Sequence, residues 1–424
     1  MLMGSLMHRV VITGIGVVAP SGIGKEEFWK NSAEGRSFIE SDAEMKALGT
    51  RSKVVSRIRG FEPCRFFDRS EEIFLEDRFI QYGVASGILA IGDSHLHVEE
   101  ENPIDIGCIT STAIGGTPTV AATWEKLTDR GAHPLRYEPL GPDFAHATCS
   151  NYPSAELMRR FGFKGISTAL STGCTAGLDA LGLCFEVVSS GDAKVMLAGA
   201  SEAPLANISY ATLDAIGALA IGDGEPSKAS RPFDANRAGF VLGEGAAVLV
   251  LEEIEHAVAR GAHIYAEVLS YASVSNAYHM SDLPPNGTPM VRVIEAVLKR
   301  SGIDPTEIGY INAHGSSTPQ NDLFETNAYK EVFGKQAYHI PISSTKSMIG
   351  HSLSAASLMG VSAALGAIEQ SIIPPTANYE VRDPECDLDY VPNVCRHADV
   401  RAALVTASGF GGIHSAALFR KVSG

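Results

Sequence analysis

Two stretches of this chain, residues 174–189 and 352–368, have helical spacing but almost no polar side. A surface helix carries one apolar stripe, whereas a helix that is apolar or small nearly all round must be covered on every side, between layers. The cover is legible in the same sequence. Continuous β-branched runs occupy residues 9–18, 106–112, 165–170, 194–198 and 246–251, and a second series occupies 264–272, 310–313, 340–343, 402–406 and 415–419. Such runs, alternating with small-residue helices, indicate buried strands in an α/β layered protein. The two series share one order: an early strand, a glycine-rich strand exit, a buried central helix, then two closing strands. That order predicts a structural duplication jointed near Gly261, with halves 1–260 and 261–424. Another helix is punctuated by Thr288 as N-cap, Pro289 in its first turn and Gly302 at its stop, with Met290, Ile294, Val297 and Leu298 on one face.

A chain of 424 residues, 45% hydrophobic and only 20% charged, has the material for a large core or two packed subdomains. Its net charge of −15 argues against a nucleic-acid partner, which requires a basic footprint. Basic residues do gather locally, at Arg51, Lys53, Arg57, Arg59, Arg65 and Arg69, and this run reads equally as a solvated surface or as a docking patch for an acidic partner. Seven cysteines, an odd number with no CxxC pair, indicate neither a disulfide framework nor a zinc site and suit a reducing, cytoplasmic setting. The segment before Arg9 has no charged n-region. The apolar run 10–18 is broken by glycine and followed by Pro20, so it reads as a strand rather than a signal peptide. No apolar stretch is long enough to cross a bilayer.

Four motifs carry chemistry. In Ser171-Thr172-Gly173-Cys174-Thr175-Ala176-Gly177 a strand ends, a glycine permits a sharp turn and a cysteine opens a buried helix. Free N–H groups there would stabilise a thiolate and lower its pKa. A free cysteine is otherwise most often a core residue, and from the residues alone Cys174 stands evenly between the two readings. Asn312-Ala313-His314-Gly315-Ser316-Ser317-Thr318 leaves a strand, and Ser344-Thr345-Lys346-Ser347-Met348-Ile349-Gly350-His351-Ser352 enters the second buried helix. Either histidine alone reads as a core or cap residue. Two of them, each among glycines and hydroxyls at strand–helix junctions, suggest a shared site, and no third ligand with metal-like spacing accompanies them. Ser408-Gly409-Phe410-Gly411-Gly412 is a tight turn or a loop presenting N–H groups to an oxyanion. Lys346, five residues before His351, is expected to be buried. A lone buried ammonium is costly, so an ion pair with Glu325, on the helix opened by the His314 loop, is expected to link the two histidine loops.

Together these motifs resemble the β-ketoacyl-[acyl-carrier-protein] synthases of the thiolase superfamily, in the Cys-His-His branch. The likeness runs from Val10-Val11-Ile12-Thr13-Gly14 to the Gly409–Gly412 loop and includes Arg231-Pro232-Phe233-Asp234, Gly243-Glu244-Gly245 and Asn276-Ala277-Tyr278-His279-Met280. The resemblance implies a duplicated five-layer α-β-α-β-α thiolase fold with two mixed sheets around buried central helices. It implies Cys174 as the acyl-accepting nucleophile, and His314 and His351 as the groups that polarise a malonyl thioester. It further implies an oxyanion hole from the Cys174 and Phe410 amides with Phe410 as gate, phosphopantetheine contacts at Ser316 and Thr318, and an acyl-pocket position at Ile114. No cofactor bound by the chain is implied, since the substrate rides on the phosphopantetheine arm of an acyl carrier protein.

Ser171-Thr172-Gly173-Cys174 and Gln320-Asn321-Asp322 look most like the ketosynthase-α subunit of type II polyketide synthases. The alternatives are a homodimeric fatty-acid elongation synthase and a catalytically silent chain-length-factor scaffold, the latter disfavoured by Cys174. The resemblance implies a dimer paired through the strand at 165–170, with a homologous chain-length factor or with itself. The family's basic carrier-docking helix is replaced here by the acidic run Ser70-Glu71-Glu72-Ile73-Phe74-Leu75-Glu76-Asp77.

Overall fold

The computed structural model describes residues 7–422 apart from 72, 74, 75, 138, 139, 141, 223 and 285. The first half contributes β1 (Val10–Ala19), helix α1 (Arg78–Ser94), β2 (Ile106–Ser111), β3 (Ser167–Leu170), α2 (Ala176–Ser190), β4 (Val195–Glu202) and β5 (Gly245–Glu253). The second contributes β6 (Ala266–Ser275), α3 (Thr288–Ser301), β7 (Tyr310–Asn312), α4 (Pro319–Phe333), β8 (Ile342–Ser343), α5 (Leu353–Gln370), β9 (Ala402–Gly409) and β10 (Ile413–Arg420).

Both halves have one topology. The first sheet runs β1-β5-β4-β2-β3 and the second β6-β10-β9-β7-β8. In each, the first two pairings are antiparallel and the last two parallel. The sheets join where β1 meets β6, with Val10 opposite Val268 and Ile12 opposite Ala266. At the far edge β3 ends the first sheet with Ser167 and Thr168 exposed.

The layers follow from the two-residue strand period. On β5, Ala247, Leu249 and Leu251 face the central core with Leu178 and Leu181 of α2 and Leu358, Val361 and Leu365 of α5. The alternate residues Ala246, Val248 and Val250 face outward, onto Phe79, Ile80 and Val84 of α1. The second sheet does the same: Val405 and Ala417 point to the centre, and Leu404 and Leu418 to Met290, Val293 and Ile294 of α3. The result is five layers, α1, sheet, α2 with α5, sheet, α3 with α4. Each buried leucine on α5 contributes about 1.5–3 kcal/mol over exposure, which is why a helix with no polar face sits in the middle.

The central helices touch near their N-terminal ends. A Cβ at Gly177 would lie 2.6 Å from the Ser354 carbonyl oxygen, and the Leu178 amide donates to Ser357 Oγ at 2.9 Å. The α3 cap differs from expectation: Gly287, at φ 69°, is the N-cap and Thr288 the first helical residue. A side chain has no room there, because a Cβ would lie 2.7 Å from the Phe324 carbonyl oxygen of α4.

Candidate active site

Four strand exits converge where α2 and α5 begin. The chain leaving β3 turns at Gly173, with φ +68°, through a short 3-10 turn, Gly173–Thr175, into α2. The loop after β9 packs directly on it: a Cβ at Gly409 would lie 3.2 Å from the Cys174 nitrogen, so glycine lets the two backbones touch. This contact aims the Phe410 amide at the Cys174 sulfur, which it and the Cys174 amide both stabilise in the charged form. The phenylalanine ring itself is exposed at the mouth of the pocket.

The protonation state of Cys174 departs from the sequence expectation. Burial pushes the thiol up to about 11, outweighing the pull of the Lys346 charge and of the two amides. The reason is local and tertiary at once. Only a three-residue turn presents amides to the sulfur, while Cys174 packs against an apolar cluster that includes Phe240, Leu242 and Leu353. Cys174 therefore rests as a thiol.

His314 follows β7, and His351 sits just before α5. Both are buried, and their rings meet edge to face with centroids 5.2 Å apart. Phe240 closes the other side of His351 at 5.0 Å. Burial, with Lys346 nearby, holds both imidazoles well below 6.5, so both are neutral. The Nδ1 of His351 has no protein partner among the described residues. Two neutral imidazoles in a dry site can donate hydrogen bonds to a developing oxyanion without first losing a charge.

The expected Lys346–Glu325 ion pair takes another form. Lys346 is buried and its pKa is lowered to about 8 by desolvation, against the opposing pull of Glu325. Its Nζ does not reach the carboxylate; it donates to the His314 carbonyl oxygen at 2.7 Å. Glu325 accepts from the His314 amide at 2.9 Å and the Gly315 amide at 2.6 Å. The peptide between His314 and Gly315 thus lies between the two charges, its C=O on the lysine and its N–H on the glutamate. The Tyr329 hydroxyl at 2.8 Å, Thr406 Oγ1 at 2.9 Å and Asn321 Nδ2 at 3.1 Å complete the carboxylate's shell. The backbone of a β-strand exit has free polar groups that need partners, and they intercept the side chains before these meet.

Cys174, His314, His351, Ser316, Thr318 and Phe410 line one cavity of about 340 Å³. Ser316 and Thr318 hydroxyls lie 2.9 Å apart, and Thr318 also caps α4. Ile114 does not line this cavity. It packs in the same apolar cluster as Cys174 but opens onto a neighbouring cavity of about 460 Å³ with Gly116, Val120, Trp124 and Ile208. Gly115, at φ +54°, follows it and lines the same cavity.

Phe240 went unrecognised from sequence; nothing local to Gly239-Phe240-Val241 marks a residue that packs on a distant histidine. Glu202 and Asp322 were missed as buried acids, each pushed up to about 7 by desolvation. Among the described residues one group, His8, Glu253 and Glu255, has metal-like spacing, and none of the three lines the Cys174 cavity.

In the acidic run, residues 72, 74 and 75 lie outside the described residues. The others are engaged within the chain: Glu71 with Arg160, Glu76 with His146 at 2.6 Å, and Asp77 capping α1 through the Phe79 amide at 3.0 Å. In the basic run, Arg51, Arg57 and Arg59 pair with Asp214, Asp42 and Glu40, while Lys53, Arg65 and Arg69 are exposed.

Residues 7–257 match the family described as beta-ketoacyl synthase, N-terminal domain, and residues 265–380 match beta-ketoacyl synthase, C-terminal domain. The chain is 44% identical to the tetracenomycin polyketide synthase ketoacyl synthase alpha subunit of Streptomyces glaucescens, covering 97% of each. It superposes with TM-score 0.92 and 39% identity on a solved type II polyketide synthase ketosynthase, described as in complex with its acyl-carrier protein and bound to the hexaketide, over 98% of this chain and 100% of that one. The ishigamide ketosynthase/chain length factor superposes with TM-score 0.90 and 32% identity, over 98% of this chain and 100% of that one.

Proposed function

The chain belongs to the beta-ketoacyl synthase family, and from that premise we propose that it performs decarboxylating Claisen condensation as the catalytic ketosynthase subunit of a type II polyketide synthase. One observation carries the chemistry: a cysteine facing a backbone amide shares a single cavity with two neutral, buried histidines.

In the first half-reaction the Cys174 sulfur attacks the thioester carbonyl of an acyl chain held on a carrier. The thiol proton leaves, the carrier thiol departs, and the acyl group becomes a thioester on Cys174. The Cys174 and Phe410 amides hold the oxyanion of the tetrahedral intermediate. In the second half-reaction a malonyl thioester enters past Phe410, with Ser316 and Thr318 along its phosphopantetheine arm. His314 and His351 donate to its thioester oxygen, so that loss of CO₂ leaves an enolate in place of a high-energy carbanion. The enolate carbon attacks the Cys174 thioester, the same amides hold the new oxyanion, and the cysteine thiolate leaves. The Lys346–peptide–Glu325 bridge supports this by fixing the His314 backbone.

We assign the two halves to residues 1–260 and 261–424, a division supported by the repeated strand order. The partners of this reading are an acyl carrier protein and a homologous chain-length factor joined along β3; the names of the similar solved complexes support both. Seven cysteines without a disulfide suit a cytoplasmic setting, and among the described residues no helix is long and apolar enough to cross a membrane. The test is intact-protein mass spectrometry with an acyl donor, followed by malonyl-carrier condensation, with and without the partner subunit. One adduct, absent from Cys174→Ala, is expected. Full condensation by a homodimer of this chain alone would replace the polyketide assignment with a fatty-acid elongation synthase.

A further inference from the structure

Asp179 lies on α2, five residues after Cys174, and is buried. Four hydroxyls converge on its carboxylate. Oδ2 accepts from Thr172 Oγ1 and from Thr175 Oγ1, the latter at 2.8 Å; Oδ1 accepts from the Tyr271 hydroxyl at 2.8 Å and from Ser415 Oγ. Among the described residues no cation pairs with it. A buried carboxylate without a counter-ion is costly unless hydrogen bonds satisfy it, and here neutral donors fill both oxygens.

The donors come from two places. Thr172 and Thr175 bracket Gly173 and Cys174, the turn that presents the nucleophile. Tyr271 and Ser415 lie on β6 and β10, strands of the other half. Ser415 pairs in register with Ala407 of β9, and β9 runs through Ser408 and Gly409 into Phe410. The carboxylate is therefore tied on one side to the sulfur's turn and on the other to the strand pair that carries the Phe410 amide. A second feature makes this more than packing. Neither the 3-10 turn nor α2 has a side-chain N-cap bond. A conventional cap would secure the turn by occupying its amides. Bonding the turn's hydroxyls to Asp179 secures it while leaving the Cys174 amide free for an oxyanion.

We propose that Asp179 is a positioning residue that holds the Cys174 sulfur and amide in register with the Phe410 amide by clamping the nucleophile turn to the β9–β10 pair across the two halves. The activity arm of its test rests on the condensing reaction proposed above; a second arm does not.

The clamp touches the oxyanion hole and not the histidines, so its loss separates two activities. In Asp179→Ala, acylation of Cys174 should slow by about 10- to 100-fold, the scale of a small misplacement of reacting groups. Malonyl-carrier decarboxylation, carried by the histidine pair, should stay within about two-fold. Tyr271→Phe, which keeps the ring packed on Gly182 and removes one donor, should shift the same ratio in the same direction by less. Hydrogen exchange provides the independent arm. Peptides spanning 172–177 and 405–412 should exchange faster in Asp179→Ala, while one spanning 313–318 should not. Equal slowing of acylation and decarboxylation, unchanged acylation, or faster exchange spread evenly over all three peptides would overturn the proposal. If the wild-type chain together with its partner subunit shows neither acylation nor decarboxylation, the proposed function falls, and the exchange pattern alone decides the role of Asp179.

Discussion

The segment from β3 to α2 and the segment from β8 to α5 occupy the same position in two copies of one topology, yet they are built for different work. The first ends in Cys174, in an apolar setting beside two backbone amides. The second carries Lys346 and His351, and its neighbouring exit from β7 carries His314 over a buried set of charges. The duplication brings both helix starts to one point, as the contact between Gly177 and Ser354 shows. The difference lies in what each copy places around that point. Apolar surroundings keep the sulfur protonated, and the buried charges fix the backbone beside one of the two neutral imidazoles.

The strongest way to break this comparison is to remove the nucleophile. Cys174→Ala should abolish the acyl adduct and lower condensation by on the order of 10³-fold or more, measured by mass spectrometry and product formation. Retained condensation would mean that the first copy does not supply the nucleophile. Next comes the second copy. His314→Ala or His351→Ala should cut malonyl decarboxylation by roughly 10²- to 10⁴-fold while Cys174 still takes up an acyl group, read as CO₂ release against adduct mass. Equal loss of both activities would merge two roles that the geometry keeps apart.

The buried bridge gives a stability effect. Glu325→Gln leaves the Lys346 ammonium without its counter-charge and should cost about 3–5 kcal/mol, seen as a lowered denaturant midpoint. Lys346→Met, which removes the charge along with the bond to the His314 carbonyl, should cost less. Lys346 also sets a pH dependence. Its folded pKa of about 8 lies below the ordinary 10.5, so between these values the unfolded chain binds more protons and stability rises with pH. The two histidines, held well below 6.5, act in the same direction on the acid side: stability falls as pH drops below that value. Unfolding titrations of Lys346→Met should lack the alkaline rise. The smallest effect sharpens the contact between the copies. Gly409→Ala should lower Cys174 acylation by roughly ten-fold with little change in decarboxylation, since the new Cβ crowds the Cys174 nitrogen.

Much of this architecture is legible in the sequence. The ten strands and both central helices follow from β-branched runs and from the missing polar faces, because periodicity is a local property that burial enforces along the chain. Their ends moved by a few residues, as at β4, which extends to Glu202 where the apolar run stops at Ala198. Cys174, His314 and His351, picked out as residue types flanked by glycine at strand exits, line one cavity. How the acidic run is held was not legible: sequence does not show that Glu71, Glu76 and Asp77 have partners at Arg160, His146 and the Phe79 amide.

Sequence by itself thus determined which side chains this protein brings to its site and the order of elements that carries them, since both depend on neighbours along the chain. Tertiary structure decided their states. The Cys174 thiol is raised because apolar groups from distant segments displace water from it, against the local helix-start argument. Lys346 and Glu325 meet through a peptide and not directly, because the His314 backbone reaches both first. Ile114 lines a second cavity and not the one that holds Cys174. Desolvation, competition for hydrogen bonds and which cavity a side chain lines all depend on atoms far apart in the chain, and only the folded arrangement supplies them.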